Sequence, residues 1–213
     1  MYSRYGLFGI LIVMILPVMV SIAMAKEIEN ILPNPDFEDK ANPINGWSIG
    51  AQGTLSMDKK AESPTSHPVM LATINAAGAN AWEPEIHSPG FDLKQGKKYT
   101  YAFWAKTEPG VTRTLGARFE QLNTWVGIGQ DILINDQWQD YHFTGIWTHP
   151  SSPPQVVIHI AFNVQPKPLA DVWFSHFRVY EGDYVEEEIG GGKPKAVNPV
   201  DRLTTAWGQI KKF

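Results

Sequence analysis

Between residues 47 and 181 apolar and polar residues alternate in short runs, and no long stretch has the three-to-four-residue spacing of an amphipathic helix. Alternation with a period of two marks strands that bury one face. The pattern predicts strands at 47–57, 67–74, 81–87, 98–106, 111–121, 125–134, 139–147, 156–164 and 171–181. Clusters rich in Pro, Gly, Asn and Ser separate most of them: SPTSHP, INAAGAN, SPGFDLKQGK, TEPG, NDQ, THPSSPP and QPKP. Such clusters supply the backbone geometry of turns. Nine or ten short strands at this spacing predict an all-β, two-sheet antiparallel jelly-roll sandwich.

Strand parity divides each run into two faces. In YTYAFWAK, Tyr99, Tyr101, Phe103 and Ala105 form a uniformly apolar face. Thr100, Ala102, Trp104 and Lys106 form a mixed one. In QVVIHIAFNV the core face is Val156, Ile158, Ile160, Phe162 and Val164, leaving His159 and Asn163 outside. Leu115, Ala117 and Phe119 read as core, so Arg118 and Glu120 point away. Ile128, Ile132 and Ile134 read as core, with Trp125, Gly127 and Gly129 opposite; glycines beside a ring suggest open space on a groove floor. Tyr141 and Phe143 place His142 outside.

If these outer faces share one sheet, they bring together Trp104, Trp125, Arg118, Glu120, His142, His159 and Asn163. Sugars suit such a surface: their C–H faces stack on rings and their hydroxyls pair with planar polar groups. The plainer reading is a solvated face whose two Trp are covered by loops.

The ends differ from the middle. Arg4, an apolar run from Gly6 to Val20 and the Ala23-Met24-Ala25 pattern predict a signal peptide over residues 1–25. The alternative is an uncleaved N-terminal anchor; Pro17 interrupts a run already short for a span. Either way the remainder is expected outside the cytoplasm, secreted, periplasmic or on the cell surface. Residues 26–181 read as the sandwich and 182–200, with EEEIGGGKPK, as a linker. In residues 201–213, Leu203, Trp207 and Ile210 share one helical face, which predicts a short amphipathic tail. It either packs on its own domain or docks a protein partner.

Composition narrows the function. The net charge is −4 with no basic stripe, which argues against nucleic acid. There are no cysteines, so an exported domain must hold together by burial or a metal. Eight Trp and 12% aromatic residues are high for this length, and with sixteen Pro and eighteen Gly they fit an all-β chain of many short strands.

Four segments occur in order: ILPNPDFED, SPGFDLKQGKKYTYAFWAKTE, INDQWQDYHFTGIW and DVWFSHFRVYEG. Together they resemble the carbohydrate-binding modules of families four, nine and twenty-two, over roughly residues 30–181. The resemblance implies a galactose-binding-like jelly roll that holds a polysaccharide in a groove. It implies no catalysis by the module itself, which usually accompanies a glycoside hydrolase. Trp82 falls where many relatives carry a ligand-facing Trp, although parity with Pro84 and Ile86 would place it in the core. Trp47, Trp138 and Trp173 match positions that look structural. The family often holds a structural calcium near the N-x-x-F-E segment, where Glu38 matches. Ser175 and His176 stand in place of the usual Asp-Asp, and a hard cation prefers carboxylate oxygens. Glu38 also reads as an ordinary loop carboxylate.

No catalytic fingerprint is present in the sequence. Glu83 and Glu85 share one strand face at roughly 6.5 Å between Cα atoms, so they would flank the same side of a sugar rather than opposite sides as hydrolysis requires. The leading expectation is non-catalytic polysaccharide binding with no required cofactor. The competing one is an adhesion or assembly module using the same face or the tail.

Overall fold

The structure, a computed structural model, describes residues 28–150, 155–163, 169–187 and 189. The predicted signal peptide and C-terminal tail lie outside the described residues. Ten strands form two antiparallel five-stranded sheets, and among the described residues there is no helix. In chain order they are β1 (Ser48–Ile49), β2 (Gly53–Met57), β3 (Val69–Ile74), β4 (Glu85–His87), β5 (Lys98–Thr107), β6 (Arg113–Gln121), β7 (Gly127–Ile134), β8 (Gln139–Ile146), β9 (Val156–Ala161) and β10 (Val172–Glu181).

One sheet runs β1-β4-β9-β6-β7, the other β2-β3-β10-β5-β8. Only the β2–β3 and β6–β7 connections join neighbours within a sheet; every other connection crosses the sandwich. This is the all-β jelly-roll sandwich that the alternation predicts. The region 47–57 divides into two strands in different sheets, so the one predicted strand there is two.

The core lies where the two inner faces meet. Tyr99, Tyr101, Phe103 and Ala105 of β5 are buried, as their parity predicts. Each large side chain removed from water contributes about 1.5–3 kcal/mol. Buried Tyr101 keeps its hydroxyl satisfied by donating to the Ala117 carbonyl at 2.6 Å, which ties β5 to β6 across the sheets. Phe103, Phe174 and Phe177 pack ring against ring with centroids 4.9–5.8 Å apart. Trp47 joins them at 4.6 Å from Phe177 and donates its indole N–H to the Asn34 carbonyl.

The β10 ladder shifts register between Ser175 and Arg178, with His176 at φ 48°. A bulge of this kind turns two consecutive side chains to one face. Ser175 and His176 therefore both lie outside the core, while Phe174 and Phe177 stay inside it.

Candidate functional site

The outer face of the β1-β4-β9-β6-β7 sheet carries a groove. Cross-strand register builds its floor in rows. His87 of β4 pairs with His159 of β9, which pairs with Arg118 of β6. The next row is Glu85, Ala161 and Gly116. Small residues in that row leave a hollow of about 550 Å³, lined by Trp82, Trp125, Glu85, Arg118, His159 and Asn163 among others.

Two rings stand over this floor. Trp82, in the loop before β4, is 50% exposed, and Trp125, in the loop between β6 and β7, is 60% exposed. Trp125 has φ 58°, a left-handed conformation uncommon for a bulky residue. The turn is closed by its own N–H to the Gln121 carbonyl at 2.9 Å and by the Gln121 N–H to the Val126 carbonyl at 2.8 Å. Its ring overlies His87, with centroids 6.3 Å apart.

The polar floor is tightly paired. His159 Nδ1 lies 2.9 Å from Glu120 Oε2, and both residues are buried. An ionised carboxylate accepts, so the imidazole N–H donates. His87 is half-buried, and burial, followed by the neighbouring His159, pushes its pKa below the ordinary histidine value. Arg118 reaches over the floor, 3.9 Å from Asp131. Asn163, at φ 47°, follows β9 at the groove wall.

Of the seven residues expected to share one sheet face, the structure brings together Arg118, Glu120, Trp125, His159 and Asn163, and Trp82, which the resemblance added, joins them. Trp104 and His142 are corrected: β5 and β8 belong to the other sheet, so both side chains leave the sandwich on the opposite side. Trp104 is 6% exposed, and its indole N–H donates to Glu187 at 2.8 Å. His142 stacks on Tyr184 with centroids 3.5 Å apart. A residue on the core face alternates reliably with one on the outer face, but parity does not say which of two sheets owns the strand.

The glycines are also corrected. A Cβ on Gly127 would lie 2.3 Å from the Phe119 carbonyl oxygen, and one on Gly129 2.1 Å from that of Ala117. Close approach of the β6 backbone requires these glycines, not space beside a ring. Gly116 plays the expected part instead, since its added Cβ would meet only ordinary contacts at 3.4–3.6 Å. His87 was not singled out in the sequence; its alternation with Glu85 is the signal that places both on one face.

Residues 29–168 match the family model described as "Carbohydrate binding domain". The chain belongs to this carbohydrate-binding family. Solved structures agree on the fold. One, described as CBM4, is 21% identical over 71% of this chain and 99% of its own, with a TM-score of 0.51. The CBM22-1 xylan-binding domain of Paenibacillus barcinonensis Xyn10C is 11% identical over 76% of this chain and 100% of its own, with a TM-score of 0.52. An arabinose-bound α-L-arabinofuranosidase, MgGH51, is 10% identical over 73% of this chain and 27% of its own, with a TM-score of 0.57. No curated protein matches the chain.

The calcium that the family implies does not fit the residues found at its place. Glu38 is exposed, and Asn34 rather than a cation organises the loop, accepting from the N–H groups of Glu38 and Asp39. Beside it the carboxylate of Asp36 meets two imidazoles, His176 at 2.5 Å and His67 at 3.4 Å, whose rings stack 4.0 Å apart. His176 Nε2 lies 3.2 Å from Glu187. Ser175, wholly buried, donates to the Pro68 carbonyl. Two nitrogens and one carboxylate are a poor donor set for a cation that takes six to eight oxygens.

Proposed function

We propose that the carbohydrate-binding domain holds a polysaccharide chain in the groove without cleaving it. The observation that carries this reading is the pair of exposed rings, Trp82 and Trp125, on the rim of a polar floor. Exposed large rings beside a concave surface have little structural reason to be there, and a sugar ring offers a flat apolar face to stack on them. Arg118 and Asn163 would select hydroxyls, with Glu120 and His159 beneath them. The floor is built on paired strands, so little order has to be gained on binding. Non-catalytic action is supported by the placement of the nearest carboxylates. Glu83 accepts from the Asn80 N–H at 3.0 Å in the loop, and Glu85 and Glu120 both press on His159.

Export from the cytoplasm is proposed with it, since an insoluble or external polysaccharide must be reached. Xylan is the first polymer to test, because the Paenibacillus neighbour is described as xylan-binding. Affinity electrophoresis of the full chain through gels containing xylan or β-glucan is the experiment. Retardation lost in the Trp82→Ala/Trp125→Ala double variant supports the groove; retardation unchanged by it removes the groove from the function.

A further inference from the structure

Three side chains on the groove floor converge without satisfying one another. Glu85 and His87 leave β4 on the same face, and register sets His87 opposite His159. The Glu85 carboxylate lies 3.1 Å from His159 Nε2 and 3.8 Å from His87 Nε2. Both Nε2 atoms are buried, and neither makes a hydrogen bond within the protein. The His159 side chain is only 9% exposed. An unpaired buried polar atom costs about 1–3 kcal/mol, so two at one point call for a ligand.

The two imidazoles meet edge to face, at 77° with centroids 5.1 Å apart, so their free nitrogens are not stacked in parallel. The donor atoms of all three residues lie within 4.8 Å of one another. Small side-chain rotations would bring them within reach of one ion at bond lengths of about 2.0–2.2 Å. Behind the site, Glu120 lies 2.9 Å from His159 Nδ1, and a neutral imidazole that donates there directs its Nε2 lone pair to the cluster.

We propose that Glu85, His87 and His159 form a binding site for a divalent ion of the zinc class, with Glu120 as the residue that positions His159. Two imidazoles and a carboxylate are the donor set such ions prefer over calcium or magnesium. Three protein ligands leave one position open. Glu85 and His159 line the groove, so that position faces it. A sugar hydroxyl there would complete the coordination, a step that rests on the carbohydrate reading. The Asp36, His67 and His176 cluster is the weaker candidate: its rings are parallel within 5°, and none of its imidazole nitrogens is a buried atom without a hydrogen bond.

The test titrates zinc chloride into the full chain after treatment with a chelator, read by calorimetry and by the visible absorption of the cobalt-substituted protein. One site is expected, lost in His87→Ala and in His159→Ala, retained in His67→Ala/His176→Ala, and weakened about 10–100-fold in Glu120→Gln. Unfolding midpoints measured without metal show whether each variant folds. Nitrogen-15 shifts of the His87 and His159 imidazoles in the unaltered chain provide a readout that needs no variant. Absence of zinc binding, or binding that survives both groove variants and vanishes with His67 and His176, overturns the site. If zinc binds in the groove but polysaccharide affinity is the same with and without it, the hydroxyl contact is overturned. Polysaccharide binding lost in the Trp variants with zinc binding intact bears on the carbohydrate reading alone.

Discussion

The indole N–H of Trp104 donates to the carboxylate of Glu187 at 2.8 Å, on the side of the sandwich away from the groove. That carboxylate also faces His176 at 3.2 Å and Arg178 at 3.7 Å, so the ring is one wall of a polar network rather than a platform. Arg178 in turn grips Asp140 through two contacts of 2.5 and 2.6 Å.

Trp104→Ala is therefore expected to lower the unfolding free energy by about 3–5 kcal/mol, measured by denaturant titration. The variant molecules that remain folded should bind polysaccharide as the parent does. Trp104→Phe, which keeps most of the packing, gives a folded protein for the binding assay if Ala does not. Weakened binding by folded Trp104→Phe would return this ring to the ligand site.

Trp82→Ala and Trp125→Ala should behave in the opposite way. Both rings are half or more exposed, so stability should change by no more than about 0.5 kcal/mol. Each should weaken polysaccharide binding roughly 10–100-fold, the equivalent of about 1.5–3 kcal/mol for a ring that a ligand covers. Calorimetry against a soluble oligosaccharide, paired with thermal unfolding, separates the two effects.

Gly116→Leu should fill the hollow between Ala161 and Asp131. The backbone has room for a Cβ there, and a strand glycine gains nothing from its freedom. The unfolding midpoint should hold while polysaccharide binding is lost. A variant that binds normally would show that the ligand does not use the centre of the groove.

Arg113→Ala should be among the most damaging single changes. The buried guanidinium donates to the carbonyls of Ala170 and Phe162 at 2.5 and 2.7 Å and lies 5.0 Å from the centre of the Phe162 ring. Burial lowers its pKa to about 10, with Asp171 and Glu108 acting against that, so it stays charged at neutral pH. Its removal orphans two buried carbonyls at about 1–3 kcal/mol each. Asn163 follows Phe162 directly, so polysaccharide binding should fall along with stability. A lysine cannot reproduce the fork geometry and should not rescue it. Chemical denaturation of both variants tests this; a destabilisation below about 1 kcal/mol would refute it.

Apart from the division of 47–57 into two strands, the sequence by itself determined the strands, their inner faces and the family. Period-two alternation is a local property, and it separated Tyr99, Tyr101 and Phe103 on the inner face from Trp104 on the outer one, although Trp104 is buried there too. The four ordered segments sufficed for the resemblance because they fall on elements that pack in the core, including Phe37, Phe103 and Phe177. What only the tertiary structure decided was which outer face each strand joins. Most connections cross from one sheet to the other, so β5 and β6, neighbours in the chain, present their outer residues to opposite sides of the molecule. Trp104 and Arg118 look equivalent in sequence and lie on opposite faces in space. The same pairing set His87 beside His159 and left their Nε2 atoms unpaired, a relationship between residues 72 positions apart that no local pattern encodes.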